Sequence, residues 1–485
     1  MSTINSQHSA RGTKSLASPS IILIAVAAVV AGLSAAIVPW WLLVIFFVLP
    51  ALGFVATVWP YLGLLGLVSL IAGIVPSEWL PQISVGSGKL LGTDMALGTL
   101  LGLVILKALF NGNEVLKAAR PYLIPILLFL ASIPLCSAVG FVFFHTEARE
   151  VLNEARVQVY WLVFFLPIYF LARSTDLNRV AWGLVVVGVT LAAMVVIQFA
   201  FGVHLLENGR MEDLRTMGAT YTNVTRSTAG GAIYLIIFAM YFLVARLLTK
   251  SLHPLIVLPL VAILAAGILA TFGRGIWLAS AVGLCGIAWH LGGLRALQKL
   301  AMVMLVGGMM GIGSLATFNP AVIDATFERF TSTFSEGNEK TSLGERFEEN
   351  GFAIKKIASS PLFGIGFGTP YKPRLDPGVD WKQVRYIHNA YLGLWMKLGL
   401  LGPIAATWLT VIVFRRAKRL LLIDTLQPQY RAFATACLVS FFVPVVTSFT
   451  QPEWLTSLGV SFFALMAGLL AVLEYHAHPT EKVTT

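Results

Sequence analysis

Long uninterrupted runs of apolar residues constrain this chain more than any other feature. Each run is about 17–24 residues long, which is the length of helix that crosses the hydrocarbon core of a bilayer. Only 12% of the residues are charged and 57% are apolar, whereas soluble domains average about 25% charged residues. The sequence therefore predicts an all-α polytopic membrane protein with about 12–14 transmembrane helices.

The spans divide the chain into five regions. We predict a cytoplasmic tail (1–19), an N-terminal transmembrane bundle (20–316), a long loop (317–388), C-terminal transmembrane helices (389–474) and a second cytoplasmic tail (475–485). The individual spans are expected near residues 20–39, 41–58, 60–75, 94–110, 121–143, 157–172, 179–202, 228–248, 254–272, 275–293, 298–316, 389–414, 432–450 and 455–474.

The charges between the spans predict an orientation. With this span pattern, the side that holds both termini carries about 17 basic and five acidic residues. Loops rich in Lys and Arg remain in the cytoplasm, so both termini are expected there. The net charge of +11 is thus explained by topology, and we expect no nucleic-acid partner.

Several kinds of chemistry have no motif in this sequence. Cys136, Cys285 and Cys437 all fall inside apolar runs, where a cysteine usually acts as a small packing residue. The chain lacks an Asp-x-Asp pair, an HExxH motif and a Walker sequence. We therefore expect neither a metal ion nor another cofactor.

The long loop is expected to be partly helical and functional, since loops of this length seldom lack a role. Apolar residues at helical spacing predict an interfacial helix over 321–334. Ser342-Leu-Gly-Glu345 is a capping-box signature that predicts a second helix, which Ser360-Pro361 would end. Alternating glycines at 364, 366 and 368 predict irregular backbone that approaches its neighbours closely.

His388 is the candidate catalytic residue. Asn389 can cap the helix that follows, which would fix His388 at the point where the loop meets the membrane. Imidazole changes charge near neutral pH and can accept a proton from a hydroxyl group. A histidine that only hydrogen-bonds a neighbouring loop would occupy the same position in the sequence.

Two arginines are candidate anion ligands. Arg274 lies between two glycines in a predicted hairpin tip, and Arg226 lies where a span is expected to begin. The guanidinium group offers a forked, permanently charged set of donors for phosphate, and a helix N-terminus also favours anions. An arginine that reaches towards lipid headgroups would show the same pattern. Arg215 is a supporting candidate, although nearby acidic residues would also explain it.

Lys397 is the one charge expected deep inside a span. Intramembrane charges are costly and often functional, but a lysine here would also be explained by a bond to a neighbour's carbonyl groups. It lies nine residues after His388, on roughly the opposite face of a helix.

Three motifs together resemble the O-antigen ligase / polysaccharide polymerase family. They are Phe-Gly-Arg274-Gly, Ser-Pro-Leu-Phe-Gly-Ile-Gly-Phe-Gly late in the long loop, and His388-Asn-Ala-Tyr-Leu-Gly-Leu followed by Gly-Leu-Leu-Gly402. The resemblance covers about residues 220–415. It implies a bacterial inner-membrane glycosyltransferase of the GT-C type, which uses glycans carried on undecaprenyl pyrophosphate at the periplasmic side without a metal.

The resemblance also implies roles for residues. Arg274 and Arg226 would bind the donor pyrophosphate, and His388 would activate the acceptor hydroxyl. Arg346 follows the capping box where relatives also have an arginine, and it joins Asn389, Lys397 and Arg215 as a supporting candidate. The partners implied are the lipid-linked donor, a glycan or lipid A–core acceptor, membrane lipids and other polysaccharide-assembly membrane proteins.

The sequence leaves the acceptor open. We favour a polymerase of O-antigen or exopolysaccharide, in which the acceptor is another lipid-linked glycan. An O-antigen ligase that attaches glycan to lipid A–core, or a transferase to protein, would fit the same motifs. A transporter or lipid flippase is the alternative of another class, but it would place more ionisable residues near the membrane midplane.

Overall fold

The computed structural model describes residues 48–85, 88–110, 115–171, 173–207, 209–216, 219–331, 342–372 and 385–477. The chain divides into two compact units, Met1–Ala51 and Leu52–Thr485. Only residues 48–51 of the first unit are described, and they lie in and just before a helix. All that follows concerns the second unit, which contains every candidate site residue.

The described residues form sixteen α-helices and two antiparallel β-hairpins. The helices are α1 (Leu49–Val58), α2 (Pro60–Ile71), α3 (Gly92–Phe110), α4 (Val115–Val142), α5 (Ala148–Val159), α6 (Phe165–Phe170), α7 (Ser174–Phe201), α8 (Ile233–Leu248), α9 (Pro254–Leu269), α10 (Arg274–Phe318), α11 (Ala321–Thr331), α12 (Ser342–Ser359), α13 (Ala390–Leu398), α14 (Leu401–Leu421), α15 (Pro428–Thr447) and α16 (Ser457–Ala477). The strands are β1 (Gln82–Val85), β2 (Gly88–Leu91), β3 (Arg210–Thr216) and β4 (Ala219–Thr228).

Seven of the helices described are long and apolar enough to cross a membrane, which confirms the prediction of an all-α polytopic membrane protein. Helices α8 and α16 form the centre, because nearly all of their residues are buried. Helix α10 is mostly exposed, as expected for a helix whose apolar side chains contact lipid. The expected spans before residue 48 lie outside the described residues.

Glycines with positive φ separate two expected spans and divide a third. Helix α10 is continuous over two of them except at Gly293, where φ is 60° and ψ is −149°. The span expected over 389–414 is divided into α13 and α14 at Gly399, which has φ 62° and ψ −155°. These angles are open to glycine and costly for other residues, so each glycine permits a change of direction that helical periodicity alone does not reveal.

The long loop contains the two predicted helices. Helix α11 begins at Ala321 as expected, and the end of that prediction lies outside the described residues. Helix α12 covers Ser342–Ser359, in agreement with the capping box and with the expected stop before Pro361. The β1–β2 and β3–β4 hairpins lie outside the long loop and were not predicted from the sequence.

Residues 361–369, which we call the glycine segment, thread between α4, α5 and α13. The Ile365 amide donates to the Met396 carbonyl at 2.7 Å, and the Phe367 amide donates to the Cys136 carbonyl at 3.1 Å. At Gly366, φ is +73° and a Cβ atom would lie 2.4 Å from the amide nitrogen of Gly140. The prediction of closely approached, irregular backbone is therefore confirmed.

We expect Gly366→Ala to destabilise the protein by about 2 kcal/mol or more, since it adds left-handed strain and a backbone clash. The measurement is the thermal unfolding midpoint of the purified protein in detergent. Gly307→Ala is the matched control, because a Cβ at this helical glycine meets nothing within 4 Å. Equal midpoints for the two variants would contradict the tight threading.

Candidate functional site

His388 lies directly before α13, and the helix cap predicted for Asn389 is present. The Asn389 Oδ1 atom accepts from the amides of Tyr391 and Leu392 at 3.1 and 3.2 Å. The imidazole is half exposed, and its Nδ1 atom lies 2.8 Å from Oε2 of Glu349 on α12. The His388 amide faces the same carboxylate oxygen at 3.4 Å. The Asn389 cap and the Glu349 carboxylate thus fix both the backbone and the imidazole ring of His388.

Glu349 is the acidic partner of this histidine and was missed by the sequence analysis. Its other oxygen, Oε1, lies 3.7 Å from Nζ of Lys372. Burial alone would raise the pKa of Glu349, but the hydrogen bonds and charge of His388, together with Lys372, lower it overall. Burial and Glu349 in turn raise the pKa of the Tyr371 phenol. The carboxylate is therefore ionised at neutral pH beside a neutral phenol.

Arg226 lies in β4, which corrects the expectation that a helix begins there. Its Nε atom donates to the Thr271 carbonyl at 2.8 Å. The guanidinium is partly buried, and burial lowers its pKa. The positive charges of Arg346 and Arg210 lower the pKa further, while Glu212 on the paired strand opposes them. Three arginines consequently lie within electrostatic range of one another.

Arg274 is the first residue of α10 and not a free hairpin tip. Thr271, which accepts the hydrogen bond from Arg226, lies three residues before it. Phe272 adopts a left-handed φ of 48° in this tight turn. The N-terminus of α10, with its positive dipole end, is therefore next to the arginine cluster, and this is the helix end that can favour an anion.

Helix α12 connects the arginine cluster to the histidine. Arg346 and Glu349 are three residues apart, so they lie on the same face of the helix. Arg346 faces the Arg226 cluster, while Glu349 binds His388. Of the sequence-predicted residues, Arg226, Arg274, Arg346 and His388 are thus brought to one region. Glu349 carries no local sequence signal of its own, because only the fold brings it to His388.

Arg215 is not brought to this region by its backbone. It pairs with Thr220 near the tip of the β3–β4 hairpin, whereas Arg226 pairs with Glu212 near its base. Arg215 lies three residues along β3 from Glu212, the partner of Arg226, which corresponds to about 10 Å. Arg210 pairs with Thr228 at the base of the hairpin, where its charge acts on Arg226.

Two carboxylates of α5 hold the residues that flank His388. Glu150 forms an ion pair with Arg385, which precedes the histidine. Glu154 forms a 3.0 Å ion pair with Lys397, which follows the histidine. The carboxylates are four residues apart and therefore share one helix face.

Lys397 is buried at 2% exposure. Its Nζ atom donates to the Thr369 carbonyl at 2.6 Å as well as to Glu154. Glu154 also accepts from the Gly368 amide at 2.7 Å. This lysine therefore binds the glycine segment, and it agrees with the expected bond to a neighbour's carbonyl.

Glu453 is a second acidic residue that the sequence analysis did not single out. It lies in the connection between α15 and α16 and is only 7% exposed. Burial raises its pKa to about 7, opposed by a hydrogen bond from Tyr234. Single carboxylates in loops carry no sequence signal of burial, which depends on the packing of distant helices.

The fold and these contacts define the class of protein. It is an integral membrane protein of the polytopic α-helical class, with a basic cluster and a histidine–carboxylate pair in its long loop and the adjoining turns.

Residues 259–407 match the family model described as O-antigen ligase. The matched region includes Arg274, Arg346, Glu349 and His388. No curated protein matches the chain. The family prediction is confirmed for this part of the chain: residues 259–407, about a third of the sequence, carry an O-antigen ligase family domain.

We expect Lys397→Met to destabilise the protein by about 3–5 kcal/mol, because it leaves the Glu154 charge buried without its cation. Adding Glu154→Gln should restore part of the loss, since a neutral amide oxygen can still accept from Gly368. The measurement is the thermal unfolding midpoint. Lys418→Met, which changes an exposed lysine of α14, is the control and should change stability by at most about 1 kcal/mol. A double variant as unstable as the sum of the single variants would contradict this coupling.

Proposed function

We propose that the chain transfers a glycan from undecaprenyl pyrophosphate to an acceptor hydroxyl at the periplasmic face of the inner membrane. One observation carries the proposal. Arg226 and His388 lie far apart along the chain, yet Arg226 interacts electrostatically with Arg346 on α12 and His388 binds Glu349 on the same helix. Arg226 also donates to the carbonyl of Thr271, three residues before Arg274. A pyrophosphate site beside a general base is what such a transfer requires.

The donor pyrophosphate would bind at Arg226 and Arg274. Guanidinium groups bind phosphate oxygens in a bidentate manner, and the N-terminus of α10 adds its dipole. Like charges gathered around Arg226 repel one another, and a bound pyrophosphate would relieve that repulsion. Two arginines can neutralise a pyrophosphate without a metal ion. The lipid tail would lie in the bilayer.

The reaction itself is a substitution at the anomeric carbon. His388 takes the proton of the acceptor hydroxyl as its oxygen attacks that carbon. The bond from carbon to the pyrophosphate oxygen breaks, and its electron pair leaves with the pyrophosphate, whose charge the arginines stabilise. Pyrophosphate is a good leaving group, so no general acid is needed. The long loop would limit water, which would otherwise hydrolyse the donor.

The acceptor that we favour is a second lipid-linked glycan, which makes the enzyme a polymerase of O-antigen or exopolysaccharide. Lipid A–core as acceptor would make it a ligase. Chain-length analysis of surface glycan in a deletion strain distinguishes these outcomes. Loss of long chains with single repeats retained supports the polymerase, and complete loss of capped lipid A–core supports the ligase. Unchanged glycan with altered uptake of a solute would favour a transporter instead.

We expect His388→Ala to lower glycan transfer by about 10²–10⁴-fold, the usual contribution of a general base. The variant is expressed in the deletion strain, and its surface glycan and membrane abundance are measured together. His290→Ala is the matched control, because His290 is exposed on α10 near Arg431 and lies about 24 Å along that helix from Arg274. Wild-type glycan from the His388 variant at equal abundance would remove the base role.

We expect Arg274→Gln to weaken donor use at least about tenfold, since it removes a charged, forked contact to pyrophosphate. The measurement is the donor concentration that gives half-maximal transfer by purified protein. Arg295→Gln, on the same helix beyond Gly293, should leave that concentration unchanged. If both variants behave alike, Arg274 does not bind the donor.

A further inference from the structure

The most specific polar contact of His388 is with a residue to which the proposed function assigns no role in the reaction. Glu349 places Oε2 2.8 Å from the imidazole Nδ1 atom and is itself only 13% exposed, while the imidazole is 50% exposed. Because the Glu349 side chain is mostly buried and the imidazole faces solvent, the carboxylate can set the orientation of the ring. The other carboxylate oxygen faces Lys372 at 3.7 Å.

We propose that Glu349 is the positioning residue for His388: it fixes the ring with hydrogen on Nδ1, so that Nε2 is the atom that takes the acceptor proton. This inference rests on the proposed function for its catalytic consequence, although the tautomer itself does not. An ionised carboxylate is only an acceptor, so the 2.8 Å contact requires that Nδ1 donate. Neutral imidazole carries one hydrogen, and Nε2 then presents its lone pair.

The carboxylate also stabilises the product of the proton transfer. When Nε2 takes the hydroxyl proton, the ring becomes a cation 2.8 Å from a negative charge. The same logic of histidine and carboxylate operates in hydrolytic triads, where the acid orients the imidazole and remains ionised. Low exposure of Glu349 strengthens the interaction, because a buried charge is screened less.

Lys372 moderates this effect. Its ammonium group lies beside the other oxygen of the carboxylate. Its positive charge partly offsets the negative charge that Glu349 presents to the histidine. The two residues therefore act on the imidazole with opposite signs. Tyr371, beside Lys372, also interacts with Glu349 and with Glu348 on α12, and Arg346 on the same helix interacts with Arg226.

The test follows the protonation of His388 without any substrate. Purified protein is treated with diethyl pyrocarbonate, which reacts with neutral imidazole, across a pH series, and the peptide that contains His388 is quantified by mass spectrometry. We expect Glu349→Gln to move the midpoint of this reaction to lower pH by about half a unit or more, because the charge that favours imidazolium is lost. Lys372→Met should move it to higher pH.

Two further variants separate positioning from folding. Glu349→Asp keeps the charge and should leave the midpoint close to that of the wild type. Glu348→Gln changes the exposed neighbour on the same helix and should shift the midpoint less than Glu349→Gln. Thermal unfolding identifies any variant that is misfolded. Midpoints that do not differ between wild type, Glu349→Gln and Lys372→Met would overturn the inference.

Activity distinguishes failure of the inference from failure of the proposed function. Glu349→Gln should lower glycan transfer at least about tenfold at neutral pH, with a smaller effect on the donor concentration for half-maximal transfer, and Glu349→Asp should restore part of the rate. Opposite midpoint shifts with full activity of His388→Ala would preserve the coupling of Glu349 and Lys372 to the imidazole and reject the transferase mechanism. Unshifted midpoints with an inactive His388→Ala would reject the role of Glu349 alone.

Discussion

The pair of carboxylates on α5 is the constraint on which the rest of the site depends. Glu150 and Glu154 hold Arg385 and Lys397, the two cations on either side of His388. A buried ion that loses its partner costs several kcal/mol, so these pairs fix where the chain returns from the long loop. Lys397 also binds the carbonyl of Thr369. The end of the glycine segment, which leads directly to Tyr371 and Lys372, is thereby fixed relative to the same helix.

Much of this arrangement could be predicted from local patterns. Apolar run length predicts the membrane helices, and the Asn389 cap and the start of α12 follow from side-chain chemistry at helix ends. Those features depend on residues within a few positions of one another. The glycine segment was also predictable as irregular backbone, since alternating glycines permit close approach. What it approaches, including Gly140 of α4, is not encoded locally.

Long-range partners explain what the sequence did not reveal. Glu349 and Glu154 are ordinary helical acids by pattern, and only the fold brings them to His388 and Lys397. The β3–β4 hairpin changes which arginines meet: Arg226 at its base joins the cluster with Arg210, while Arg215 lies towards the tip. The helix N-terminus expected at Arg226 occurs instead at Arg274. Each difference arises from pairing between distant segments.

The two halves of the site differ in their access to water, and this difference suits the proposed chemistry. Arg226 is partly buried near Arg346 and Arg210. The pyrophosphate of the proposed donor would replace the hydration that Arg226 loses on burial and would offset the repulsion between the arginines. The histidine is half exposed, so a hydroxyl acceptor can reach it from the aqueous side. Helix α12 lies between these two halves of the site, with Arg346 and Glu349 on one face. Because Arg346 and Glu349 belong to one helix, the same element holds the proposed base and lies beside the proposed donor site.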